Sequence, residues 1–193
     1  VPLTVDQYKY LLNPLKKARI AKRSQGGKQL SYLESWDVKA HLSRIFGFGN
    51  WDLEMLDYHH VATREYQSKD SKPMVEVIYA CRMRLVVRDP EGRELARYSE
   101  GAVGSTSGPD YLLGDHHDNA LKTAASDATK RCAINLGTQF GLSLYDNGNT
   151  NDVVRQTLVQ PEGYEPPKAE LTEEQKAALQ QSLGATEVQA EAS

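Results

Sequence analysis

Between Val75 and Val87 every odd position is apolar: Val75, Val77, Tyr79, Cys81, Met83, Leu85 and Val87. A period of two sustained that long defines a strand with one buried face, because successive strand side chains point to opposite sides. Glu76, Arg82 and Arg84 mark the other face as polar. Asp89-Pro90-Glu91-Gly92 then supplies the residues of a type I turn in their preferred order. Leu95 to Val103 reads as a returning strand, and the alternation of Trp51, Leu53 and Met55 marks another before it. The polar stretch Arg64–Pro73 predicts a loop. Gly101, Gly104 and Gly108 predict a loosened strand end and a long loop over 104–117.

A meander with one apolar face needs a cover. Residues 118–140 supply it, with Leu121, Ala124, Ala125, Ala128, Cys132 and Leu136 on one helical face and Gly141 as the stop. Such small residues let a helix lie close on a sheet. Thr4 caps a first helix bearing Val5, Tyr8, Leu11 and Leu12, which Asn13-Pro14 interrupts. Ser35 reads as the cap of a second, with Trp36, Val38, Leu42, Ile45 and Phe46 on its apolar side and Gly47 at its end. The expected class is therefore α+β: an antiparallel β-meander with a long helix packed on it, preceded by N-terminal helices. One domain over 1–148 and an acidic, Pro-containing extension over 149–193 are expected, the latter with a short helix at 173–183 and a disordered end.

Charge is unevenly placed. The chain has 23 basic and 26 acidic residues, but 151–193 holds three of the former and eight of the latter. The body is therefore near +2 and the extension near −5, which points to a polyanion partner that the extension does not touch. Cys81 and Cys132 both fall inside regular elements, as expected of free thiols in a reducing compartment. No apolar run reaches the ~20 residues of a membrane span, and no membrane association is expected.

Three groups of residues invite a functional reading. Lys22, Arg23 and Lys28 surround Gly26-Gly27, with Tyr32 in the short strand 29–33 beyond. A flexible basic loop sets cations against a phosphate backbone, and an aromatic ring beside it stacks on bases; a solvated turn is the alternative. On the long helix, Lys130 points away from the apolar stripe, with Ser126 near it and Lys122 at the flank. They form a polar strip along a groove or an ordinary solvated face. Asp127 and Arg131, four apart, read as a helix ion pair. The third group is His59-His60 and Asp115-His116-His117-Asp118. His59 and His60 point to opposite faces of a strand, and Asp115 and Asp118 suit a helix start, so no metal site is expected. There is no GxxxxGK[ST] phosphate loop and no nucleophile elbow; neither ATP, another cofactor nor a catalytic residue is expected.

Taken together and in order, the basic-glycine segment, SYLESWDVKAHLSRIFGFGNWD at 31–52, the meander, and ALKTAASDATKRCAINLGTQFG at 120–141 resemble one family. They are similar to the N-terminal annealing domain of the Rad fifty-two / Rad twenty-two recombination proteins, short phage relatives included, over about residues 4–146. The resemblance implies a β-β-β-α core and a ring or short helical homo-oligomer with a groove for single-stranded DNA. It also implies ATP-independent annealing of complementary strands in recombination and break repair. It carries DNA contacts onto Arg23, Tyr32, Lys122, Lys130 and Arg131, with Ser126 at a neighbouring hydroxyl position; Lys28 belongs to the same basic segment. A family arginine after Lys130-Arg131 falls on Ile134, so one inner contact is missing here. Of an outer DNA site only Lys72 has a match, since 104–117 contains no Lys or Arg. A recombination exonuclease or a single-strand-binding protein is the expected protein partner, and the cytoplasm of a bacterial or phage-infected cell the expected location. A double-stranded-RNA-binding-like module and a metal-dependent nuclease using Asp115, His116 and Asp118 are the rival readings.

Overall fold

The computed structural model describes residues 3–166 apart from Gly26, and of Gln25 and Lys28 the backbone alone. The helix expected at 173–183 and the chain end lie outside the described residues. The chain divides into two units, Val1–Glu162 and Gly163–Ser193, and the first holds all the described helices and strands. Among the described residues no helix is long and apolar enough to cross a membrane.

Helix α1 (Val5–Leu12) opens with a capping box: Thr4 Oγ1 accepts from Gln7 N at 3.2 Å and Gln7 Oε1 accepts from Thr4 N at 3.0 Å. The basic segment after it is not a flexible loop. It forms strand β1 (Ile20–Gln25), which pairs antiparallel with β2 (Lys28–Leu33), Gln25 opposite Lys28. The loop is thus two residues, with Gly27 at φ +76°, the region where glycine is favoured in tight hairpins. Helix α2 (Ser35–Phe46) buries Val38, Leu42, Ile45 and Phe46 and stops at Gly47. Its N-cap is Glu34 rather than Ser35, and Trp36, expected on the apolar side, is 68% exposed.

The main sheet is an antiparallel meander of β3 (Trp51–Gln67), β4 (Pro73–Arg88) and β5 (Glu94–Pro109), with β4 in the centre. The expected alternation holds in β4, where Val75, Val77, Cys81, Met83, Leu85 and Val87 are buried. The 89–92 turn closes by a Gly92 N to Asp89 O bond of 3.0 Å. Two expectations give way. Half of the polar stretch 64–73 is strand, leaving 68–72 as the turn, and the glycine-rich stretch to Pro109 is strand as well. The long helix α3 (Leu113–Ile134) starts five residues earlier than its pattern implies and ends at Ile134 rather than before Gly141, with Thr138–Phe140 a separate short turn.

Ala120, Ala124, Ala128 and Cys132 of α3 are fully buried against the sheet. A Cβ on Gly104 would lie 2.4 Å from Ala124 N and 2.5 Å from Ala120 O, so glycine there is what admits the helix backbone. The sheet's opposite face is tied by cross-strand ion pairs: Arg64–Glu76 (3.4 Å), Arg82–Asp57 (2.8 Å), Arg84–Glu54 (3.2 Å) and Arg88–Asp52.

Candidate nucleic-acid interface

The β1–β2 register sets Arg23 opposite Leu30 and Ala21 opposite Tyr32, so Arg23, Leu30 and Tyr32 share one face of the hairpin. That face meets the C-terminal half of α3 across a cleft of about 310 Å³. The Tyr32 ring lines it, with Arg23 Cζ and Lys130 Nζ each 5.4 Å from the ring centroid. Both fall within cation–π range. The Tyr32 hydroxyl donates to Glu34 Oε1 at 2.9 Å, and that bond, with burial, raises the phenol above its usual titration range. Asp127 Oδ1 sits 2.7 Å from Lys130 Nζ.

Arg131 is not the partner of Asp127. Its Nη1 donates to Gly101 O at 3.0 Å, tying α3 to β5, while the residue still borders the cleft. Ile134 supplies an apolar wall where the resemblance expects an arginine. Lys122 lies two turns earlier on α3, about 12 Å along the axis from Lys130. It is exposed and paired with Asp118. Ser126, half-buried, stands between them. Lys28 opens β2 through its backbone, and its side chain lies outside the described part. Lys72 closes the 68–72 turn, its N donating to Ser68 Oγ at 3.1 Å. That turn adjoins the Pro109 end of the sheet, roughly 25 Å along β5 from Gly101. The structure therefore brings together Arg23, Tyr32, Lys130 and Arg131, and leaves Lys122 and Lys72 outside the cleft.

What fixes the hairpin to the body is a buried network centred on Arg19, just before β1. Its Nη2 is 2.7 Å from Asp37 Oδ2, and its Nε donates to both Asp37 oxygens at 3.0 and 3.2 Å. Its Nη1 donates to Gln139 O at 2.9 Å. His41, 2% exposed, lies inside this network; Arg44 Nη1 approaches its Nδ1 at 3.1 Å, and its Nε2 approaches Gln139 Oε1 at 3.2 Å. Burial, then the Arg19 charge, pushes His41 down to about 4. In the sequence Arg19 is only one more cation of a basic segment, and nothing in the pattern pairs it with Asp37 and Gln139.

The histidines regroup in a way their spacing conceals. His60 and His117 come together with Tyr79, whose hydroxyl is 3.0 Å from His117 Nδ1. His116 instead turns inward beneath Gly108, its Nε2 3.0 Å from Pro109 O. Among the described residues no three His, Cys, Asp or Glu side chains are grouped to hold a metal ion.

Meander, covering helix and hairpin-borne cleft define a β-β-β-α domain with a cationic, ring-bearing groove at one end of the helix. The sequence matches the Rad52/22 family of double-strand break repair proteins over residues 6–162, and the chain belongs to that family. It is 26% identical over 144 residues to the DNA repair and recombination protein rti1 of Schizosaccharomyces pombe, covering 74% of this chain and 36% of that protein. It is 28% identical over 121 residues to the DNA repair and recombination protein RAD52 of Candida glabrata, covering 63% of this chain and 22% of that protein. The chain thus spans about a third of the first relative's length and about a fifth of the second's.

Proposed function

We propose that this chain binds single-stranded DNA in the cleft between hairpin and α3 and anneals complementary strands without ATP or metal. The observation that carries the reading is the Tyr32 ring with Arg23 and Lys130 each 5.4 Å from its centroid. Cations neutralise phosphates and a ring accepts a base face, which is the pairing of functions that single-strand binding uses. The names of both relatives, which speak of DNA repair and recombination, agree with it. Lys122 and Ser126 extend the polar strip along α3 from the cleft, and Lys28 adds charge at the hairpin turn. Lys72 marks a separate, weaker contact. The protein acts as an annealing factor, with no catalytic residue.

The active form is a ring or short helical homo-oligomer. β3 and β5 are the two edges of the sheet, and long edges are usually covered by pairing. The 149–193 extension stays off the DNA; its segment at 150–157 is tied to the body, with Leu15 N donating to Thr150 O at 3.0 Å.

Annealing of two complementary oligonucleotides in EDTA, without nucleotide, is the deciding experiment. Activity is expected; activity only with ATP and magnesium would overturn the mechanism. Competition with duplex DNA and duplex RNA tests the RNA-binding alternative, cleavage products under divalent metal test the nuclease, and a light-scattering mass of 21.5 kDa would rule out the oligomer.

A further inference from the structure

The cleft has a second ring. Tyr145 borders it, 73% exposed, on the short turn Leu142–Tyr145. The turn is held from several sides. Gly141 enters it at φ +95°, Leu144 N donates to Gly141 O at 3.1 Å, and Gly148 N donates to Leu144 O at 3.0 Å. Ser143 within it is fully buried, and a Cβ on Gly148 would stand 3.7 Å from Ser31 Oγ of β2. A large ring is therefore presented to solvent on a fixed backbone, at the mouth of a groove floored by cations. The surroundings divide by chemistry: Leu30, Ile134 and Leu144 are apolar, while the cations Arg23, Lys130 and Arg131 outnumber the one carboxylate, Asp127. A ligand that fits must carry anionic groups beside flat apolar faces.

We propose that Tyr145 is a base-stacking residue, whose ring packs on an unpaired nucleobase of the strand whose phosphates lie at Arg23 and Lys130. This rests on the cleft being a single-strand site. It adds a reason for preferring single strands, since bases within a duplex have both faces covered and offer nothing for Tyr145 to stack on. A stacked base contributes roughly 5- to 100-fold in affinity.

The test compares a thymidine oligonucleotide with an abasic one of equal length, binding to wild type, Tyr145→Phe and Tyr145→Ala. Wild type and Tyr145→Phe are expected to prefer the base-bearing strand by about fivefold or more. Tyr145→Ala is expected to lose most of that preference, Tyr32 accounting for the remainder, while keeping its affinity for the abasic strand, which a misfolded variant would not. A wild type that binds both strands equally, or an alanine variant with an undiminished preference, overturns the stacking role and leaves the single-strand reading standing. Binding of neither strand by wild type overturns both.

Discussion

Asp127 and Lys130 are an ion pair one turn apart on α3, at 2.7 Å, so the ammonium beside Tyr32 is charge-paired before any ligand arrives. A phosphate must compete with that carboxylate for it. Asp127→Asn is therefore expected to strengthen single-strand binding, by up to about fivefold given the usual worth of a partly exposed pair. Lys130→Ala is expected to weaken it roughly tenfold. Fluorescence anisotropy with a labelled oligonucleotide at low salt reads both. Weaker binding by the asparagine variant would mean that Asp127 positions Lys130 rather than competing with its ligand.

Arg23→Ala removes the other cation near the ring. The salt dependence of affinity should flatten by ~0.7 in the log–log slope, the worth of one phosphate contact on a single strand. Ile134→Arg should steepen it by a similar amount, because Ile134 already borders the cleft and a guanidinium there faces the same groove. Unchanged slopes for both would take the phosphate path away from this cleft.

Gly104→Ala is expected to destabilise the fold by about 2 kcal/mol or more, since the added methyl meets helix backbone rather than a side chain that can swing aside. Gly114→Ala serves as the control. A Cβ there has no neighbour within 4 Å, and the change is expected to be neutral or stabilising by up to ~1 kcal/mol. Urea midpoints measure the contrast, and equal midpoints would contradict the close approach of α3 to β5.

The central strand is legible in the sequence because helix and core press on one face of β4 along its whole length. β3 is legible only at its start. Register shifts between Met55 and Asp57 and between His60 and Ala62 break the period, and its far half is exposed on both faces. Gly104 and Gly108 read as loop because glycine usually disfavours a strand, whereas here it makes room for Ala120, Ala124 and His116. At the site, Arg23, Tyr32 and Lys130 stand out by residue type, and the fold brings them to one cleft. The basic run reads as a flexible loop, although Gly26-Gly27 between two short runs is itself a hairpin signal. Tyr145 and the Arg19–Gln139 contact have no local signal, since both depend on segments more than a hundred residues apart meeting at the hairpin.

Acid should loosen the hairpin's attachment. His41 is held down to about 4 in the folded chain, against an ordinary value of 6.5. Between those values the unfolded chain binds a proton that the folded one refuses, so stability falls as pH drops from 6.5 to 4 and is complete above 6.5. Asp37 alone faces His41 with negative charge, while Arg19 and Arg44 face it with positive. His41→Gln should flatten the pH dependence of the urea midpoint within that window. A wild-type midpoint that does not change across it would show that the imidazole titrates freely.

The ion-paired face of the sheet has a consequence for how a strand first arrives. Four arginines there, Arg64, Arg82, Arg84 and Arg88, each have a carboxylate beside them, so little field leaves that side. Lys16, Lys17 and Lys22, exposed around the hairpin, have no such partner among the described residues. The hairpin side of the cleft thus carries cations that no carboxylate offsets among the described residues. If the cleft is a single-strand site, these cations draw an approaching polyanion toward it, and the encounter is expected to slow as added salt shortens the reach of their field.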